Sequence, residues 1–377
     1  MKLTNANYFT PDCAFLPGDI YISGERFTGA SNDKEIYGEE INCEGLFAVP
    51  GLIDIHIHGS ADCEFSACST EALIGMAKYL INEGVTSFIP TTMTANEKLI
   101  KNMCRTAGEY INKEDTSEVI GIHIEGPFIS EEKRGAQNLA FIKKPDMAFY
   151  RELQELSNNK IKIITVAPEI QGAMEFVSAI CKEAIISIAH SNADYQTAQK
   201  AFLNGASHVT HLFNGMSAFG HRSPGIVGAA FDSACMVELI SDGSFVFPAV
   251  MRAMFKMFGD DRIIIISDGT SATGGKKDVY TVDGRVFIVK DGVVQLENGT
   301  LVGPAISMRQ SIQRMVKEFN IPLESVIKCA TYNPAKQLNL LNDYGLIREG
   351  NYADLLLLDK NLDVKMVFKK GRCVVKN

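Results

Sequence analysis

The sequence predicts an α/β fold: a (β/α)8 TIM barrel with a small β-sandwich domain built from both chain termini. Three observations carry this expectation. Eight apolar runs, at 52–58, 86–92, 119–125, 161–167, 185–190, 208–213, 235–241 and 262–267, begin 23 to 42 residues apart. Most are almost continuously apolar, as parallel strands buried on both faces require. Helical stretches lie between them, so strand and helix alternate along the chain. A doubly wound open sheet shows the same alternation, but no Gly-x-Gly-x-x-Gly follows any run.

The elements follow in order. Residues 1–50 hold short strand-like pieces, Gly18-Asp-Ile-Tyr-Ile-Ser and Arg26-Phe-Thr, with turns at Ser23-Gly and Gly29-Ala-Ser-Asn-Asp. Glu35-Ile-Tyr-Gly and Leu46-Phe-Ala-Val-Pro add to a β unit too small to be a sandwich alone. The alternating pattern starts at residue 51. Its first helical stretch, 70–84, opens on a Thr cap, places apolar residues at 72, 73, 76, 77, 80 and 81, and stops at Gly84. Residues 194–205 repeat that design with Asp194 as cap. After the eighth run comes a β-rich excursion, 278–301, with turns at Asp283-Gly, Asp291-Gly and Asn298-Gly. Helices are expected at 307–319, 323–330 and 334–341. The tail returns to strands at 353–359 and 363–373. Neither terminal segment looks self-sufficient, so the two are expected to pair. This gives a small β-sandwich domain of residues 1–50 plus 346–377 and a barrel domain of residues 51–345.

Composition narrows the function. The chain has 377 residues, 46% hydrophobic and 22% charged, enough to bury a large core. A net charge of −8 without a basic run argues against nucleic acid. No apolar run approaches a membrane span, and Met1-Lys-Leu-Thr-Asn-Ala-Asn lacks the apolar core of a signal peptide. The nine cysteines are scattered, odd in number and never paired as C-x-x-C. Both features fit a reducing cytoplasm with buried thiols. Cys63 and Cys68 follow the first run closely and are the two thiols placed to approach its end.

In such a barrel the C-terminal ends of the strands converge on one face, where chemistry takes place. Those ends carry an unusual set. The first run ends in His56 and His58, two residues apart and therefore on one face. The third, Gly121-Ile-His-Ile-Glu-Gly-Pro-Phe, offers Glu125. The fifth ends in His190, the sixth runs from His208 to His211, and the eighth ends in Asp268. Burying several imidazoles and two carboxylates together costs several kcal/mol per charge without compensation. A divalent cation is the simplest compensation. The donors are N and O with no thiolate, which suits Zn, Fe, Mn, Co or Ni. Either one ion sits on Glu125, His190 and His211, or two ions are bridged by Glu125 with His56 and His58 holding the second. A bound cation lowers the pKa of water from 15.7 to about 7. Asp268 is the natural general base and later acid.

At these residues the chain resembles the amidohydrolase superfamily and, within it, the N-acetylglucosamine-6-phosphate deacetylase family. The resemblance runs over essentially the whole chain. It rests on Pro-Gly-Leu-Ile-Asp-Ile-His-Ile-His-Gly (50–59), the Glu-Gly-Pro of 125–127, Ala-His-Ser-Asn-Ala (189–193), His-Leu-Phe-Asn-Gly-Met (211–216), Arg-Ser-Pro-Gly (222–225) and Ser-Asp-Gly (267–269). It implies a main metal on Glu125, His190 and His211, and places His56 and His58 in the subset able to hold a second. Elsewhere in the superfamily a lysine on the fourth strand is often carboxylated to bridge two metals; the run at 161–167 has no lysine at its end, and Glu125 takes that role. Asn214 and the backbone at Gly215 match positions that contact a sugar phosphate. Arg222 matches an arginine reaching the phosphate in the neighbouring subunit's site, which implies a homodimer. Two departures stand out. Gln137 occupies a position where the family has a substrate-contacting His, and Phe245 replaces a second such His. His221, beside Arg222, is a candidate to supply an imidazole instead. The implied activity is deacetylation of N-acetylglucosamine 6-phosphate to glucosamine 6-phosphate and acetate, in amino-sugar catabolism. The alternative is a related amidohydrolase acting on N-acetylgalactosamine 6-phosphate or another N-acyl or cyclic amide substrate.

Overall fold

Alternating buried strands and amphipathic helices close into a barrel. The computed structural model describes residues 1–30 and 38–377. The barrel strands are β1 (Leu52–Ile57), β2 (Val85–Pro90), β3 (Ile122–Ile124), β4 (Ile161–Val166), β5 (Ile185–Ile188), β6 (His208–Val209), β7 (Met236–Ile240) and β8 (Ile263–Ile266). Neighbours from β3 to β8 pair in parallel, as do β1 and β2. Two thinner seams close the ring. Glu118–Val119 and a bridge from Thr91 to His123 join β2 to β3. A bridge from Ile57 to Gly269 joins β8 to β1, where the Asp268 amide donates to the His56 carbonyl at 3.0 Å.

The helices obey their sequence signals with small corrections. Thr70–Asn82 buries Leu73, Met76, Ala77, Leu80 and Ile81, but its cap is Ser69, whose hydroxyl accepts from the Ala72 amide. Asp194 caps Tyr195–Leu203 as expected, accepting from the Thr197 amide at 2.8 Å. The sixth run was expected to stay extended to residue 213, yet β6 stops at Val209. His211 and Phe213 adopt left-handed backbone there, which turns the chain inward at the strand end. The last of the three expected helices spans Tyr332–Gln337 rather than 334–341.

The two termini meet as expected. Leu355–Leu358 pairs antiparallel with Phe47–Pro50, placing Leu355 opposite Pro50 and Leu358 opposite Phe47. Among the described residues this makes one eight-stranded sheet, from Arg372–Lys376 at one end to Arg26–Thr28 at the other. The Leu355–Leu358 run is apolar throughout because both faces are covered. Leu355 and Leu357 join a small core with Leu3, Ile20, Ile22 and Phe27, while Leu356 and Leu358 join the barrel's core. The large core also takes in Phe9, Val49, Val364 and Val367 from the terminal segments, so the terminal sheet packs directly onto the barrel. The strand expected at Glu35-Ile-Tyr-Gly and part of the turn at 29–33 fall outside the described residues.

The excursion after β8 is a four-stranded antiparallel sheet: Val279–Val282, Arg285–Lys290, Val293–Leu296 and Leu301–Pro304. Its Asp283-Gly284 and Asp291-Gly292 turns have positive φ at both positions, the geometry that two-residue hairpins need. This sheet folds back over the barrel mouth. Gly303 lies against the Asp268 carbonyl, where a Cβ would come within 2.4 Å.

Candidate metal centre

The strand ends bring six of the expected residues into one buried cluster. Glu125 Oε1 lies 2.9 Å from His211 Nε2 and 3.2 Å from His190 Nε2, and those two nitrogens are 3.2 Å apart. A second group shares the same carboxylate. His56 Nε2 and His58 Nε2 are 3.3 Å apart, each lies 3.3 Å from Asp268 Oδ1, and His58 Nε2 is 3.4 Å from Glu125 Oε2. Ligands about 2.1 Å from a tetrahedral ion lie about 3.4 Å from one another. The spacing is close to that of donors sharing a cation.

The outer ring nitrogens decide the tautomers. His58 Nδ1 faces the Thr91 carbonyl at 3.1 Å, His190 Nδ1 the Lys133 carbonyl at 3.0 Å, and His211 Nδ1 the Asn214 carbonyl at 3.1 Å. His56 Nδ1 faces Glu238 Oε2 at 3.0 Å. Every one of these partners only accepts, so each Nδ1 carries a proton, and in the neutral, metal-binding form of each ring the Nε2 lone pair turns inward. Two facing pairs of Nε2 lone pairs need a cation between them. His190, His211 and Asp268 all hold left-handed backbone at their strand ends. Such strain persists where the surroundings over-determine it, and here it aims three side chains at one point. Burial pushes the Glu125 carboxyl up, but His56, His190 and His211 outweigh it and hold the group well below the usual carboxylate range. Asp268 is shifted the same way, with His56 and His58 overcoming burial.

A model of the amidohydrolase family matches residues 47–374. The chain belongs to the amidohydrolase family. A curated relative, the N-acetylglucosamine-6-phosphate deacetylase of Lysinibacillus sphaericus, is 38% identical over 337 residues, covering 89% of this chain and 87% of the relative. The solved structure of the Pasteurella multocida N-acetylglucosamine-6-phosphate deacetylase superposes with a TM-score of 0.93 at 29% identity, covering 100% of this chain and 99% of that one. A mutant of the Mycobacterium smegmatis enzyme, solved with N-acetyl-D-glucosamine-6-phosphate, gives 0.91 at 28% identity with the same coverage. Family and donor clusters together indicate that this amidohydrolase binds divalent metal.

Around the cluster, Gln137, Asn214, Gly215 and Phe245 line one cavity with Asp268, Glu125, His58, His190 and His211. Gly215 has φ of 61°, and a Cβ there would meet His190 Nδ1 at 2.7 Å. Gln137 is held in place on this wall: one N–H of its Nε2 donates to Glu125 Oε2 and its Oε1 accepts from the Thr94 amide, both at 2.7 Å. Arg222 and His221 are exposed, 2.6 Å from each other, and Arg222 lines a separate depression with Asp194 and Tyr195. Neither lines the metal cavity. Cys63 and Cys68 do not line it either. All nine cysteines are free thiols.

Sequence reasoning missed Glu238 and His123. Both are fully buried with His56 in a third cluster of donors. Glu238 accepts from His56 Nδ1 and from the His211 amide at 3.2 Å, so one carboxylate braces both halves of the centre. The available signal was a lone acid in the apolar strand Met236–Ile240, where an unpartnered charge is costly. His123 donates or accepts at Thr165 Oγ1, 2.9 Å away. Burial, with the neighbouring His56 charge, keeps it well below the ordinary histidine range.

Proposed function

We propose that this amidohydrolase hydrolyses the acetamide of N-acetylglucosamine 6-phosphate, yielding glucosamine 6-phosphate and acetate in amino-sugar catabolism. The observation that carries this reading is the convergence of Glu125, His190 and His211 with Asp268 in one cavity. Glu125, His190 and His211 would hold the principal divalent ion. His56, 3.6 Å from Glu125 Oε1, and His58, 3.4 Å from Glu125 Oε2, would hold another. The all-N/O donor set admits Zn, Fe, Mn, Co or Ni. Bound there, the metal supplies an acidified water and polarises the amide carbonyl oxygen.

The chain's own groups complete the reaction. Hydrolysis joins the water oxygen to the acetyl carbon and breaks the C–N bond. The Asp268 carboxylate takes the proton released by water and delivers it to the departing amine nitrogen. Glu238 and the three backbone carbonyls keep the imidazoles turned inward throughout, so no ligand has to reorient. Asn214 and the Gly215 backbone face the substrate from the same cavity. Arg222, with His221 beside it, reaches the phosphate of a neighbouring subunit's substrate, and the enzyme works as a homodimer. A guanidinium fork suits two phosphate oxygens. The free thiols favour a reducing compartment, the cytoplasm. The test is acetate release from N-acetylglucosamine 6-phosphate by the metal-loaded protein, with a matching gain of free amine. A loaded protein that releases neither product is not this deacetylase.

A further inference from the structure

We propose, resting on the two-ion reading above, that Glu238 is a positioning residue for the second ion: it makes His56 a ligand, and the second ion depends on its charge where the first does not. Three of the four inward-facing imidazoles are held from behind by backbone carbonyls, those of Thr91, Lys133 and Asn214. His56 is the exception. Its Nδ1 faces a side chain, Glu238 Oε2, at 3.0 Å, brought from 182 residues away on the strand Met236–Ile240.

The other side of the His56 ring has acceptors of its own. Nε2 lies 3.3 Å from Asp268 Oδ1 and 3.6 Å from Glu125 Oε1. A neutral imidazole carries one proton, and here carboxylates stand at both ends of the ring. With the proton on Nδ1, Nε2 offers its lone pair to a cation. With the proton on Nε2, the ring donates to Asp268 and the cation loses a ligand. The shorter contact, to Glu238, decides for Nδ1.

Charge gives the same answer. One divalent ion is matched by the two carboxylates Glu125 and Asp268. A second brings two more positive charges into a buried cluster, and Glu238, itself fully buried, is the next carboxylate in reach of His56. Among the described residues no lysine or arginine pairs with it. Its Oε1 has no hydrogen-bond partner and stands 3.8 Å from His208 Nε2, which has none either. A neutral amide would serve the bonds that Oε2 accepts. What the carboxylate adds is charge, and an ion beside His56 is what that charge has to face.

Glu238→Gln isolates this charge. Glu238 Oε2 also accepts from the His211 amide at 3.2 Å, and the Glu238 carbonyl accepts from the Leu212 amide at 2.9 Å. In the variant the amide oxygen keeps the place of Oε2, because turning the group over would set N–H against N–H. The hold on His211, and with it the principal site, is retained.

The experiment titrates metal-free parent and Glu238→Gln with Co²⁺, followed by calorimetry and by the visible absorption of bound cobalt, with the ions counted by elemental analysis. The parent is expected to take two ions. Glu238→Gln is expected to take the first with an affinity within about threefold of the parent's and the second about 10- to 100-fold more weakly. Unchanged affinity for both ions overturns the proposal. Equal weakening of both overturns it too, since Glu238 would then support the whole centre. A parent that takes one ion overturns the two-ion reading and the proposal together, while acetate release by that protein leaves the deacetylase reading standing. A second arm starts from His56→Asn, which is expected to hold one ion. Adding Glu238→Gln there should leave that ion's affinity within about threefold, because the group Glu238 acts through is already gone. A further loss shows that Glu238 does not act through His56.

Discussion

Asp268 and Glu125 are both buried carboxylates in one cluster, yet their surroundings give them different work. Glu125 sits among four imidazoles, with Oε1 near His56, His190 and His211 and Oε2 near His58. Its role is to hold cations. Asp268 lines the cavity from a strained strand end, where its carboxylate can exchange a proton with the substrate. Asp268→Asn keeps the shape and removes the base. Turnover is expected to fall by about 10²- to 10⁴-fold while metal content, measured by elemental analysis, stays near that of the parent. Near-normal turnover would remove Asp268 as the proton carrier. Glu125→Ala should do the reverse at the first step, stripping bound metal from the purified protein. Full occupancy in that variant would dismantle the ligand assignment.

At the scale of elements, the barrel and the terminal sheet are tied by charge as well as by leucines. Glu118, on the short strand beside β2, accepts from Lys369 Nζ at 3.0 Å and lies 3.1 Å from Lys370 Nζ. Lys369 ends the strand Val364–Lys369, and its ammonium is almost fully buried. Burial pushes the Glu118 carboxyl up, but the two lysines outweigh it and hold it below its ordinary value. A carboxylate depressed in the folded state stabilises the fold above its unfolded pKa, about 4.3, and loses that stabilisation as pH falls through the folded value. Glu118→Gln leaves the Lys369 ammonium buried with a weaker partner. It is expected to cost about 1–3 kcal/mol at pH 7. The gap to the parent in thermal or urea unfolding should begin to narrow as pH falls below about 4.3 and close only below the depressed folded value, where the parent's carboxylate is protonated too. A gap that stays constant down to pH 3 would assign the loss to packing.

At the scale of the molecule, the position of Arg222 outside its own cavity makes the dimer a question about catalysis. If Arg222 serves the neighbouring site, an Arg222→Ala subunit and an Asp268→Asn subunit complement one another. In the mixed dimer one site has both Asp268 and its partner's arginine, and the other has neither. An equal mixture after subunit exchange is expected to regain about a quarter of the parent activity, because half the dimers are mixed and each has one complete site. No recovery over the two variants measured apart would put Arg222 out of reach of the neighbouring site.

What the sequence determined by itself was the barrel, the pairing of the termini and the strand-end donors. Those signals are local: a buried parallel strand must be apolar along its length, and a ligand at its end breaks the pattern visibly. His56, His58, Glu125, His190, His211 and Asp268 were each legible for that reason. Tertiary structure alone decided the rest. Glu238 braces His56 from 182 residues away, a distance no periodicity spans. That Thr94 and Glu125 hold the Gln137 amide could not be read from the chain's order. The excursion at Leu301–Pro304 gave no sign of lining the site until it folded back over the barrel mouth. An amide or a carboxylate has a fixed number of hydrogen-bonding positions, and which neighbours fill them is set by the fold rather than by the chain's order.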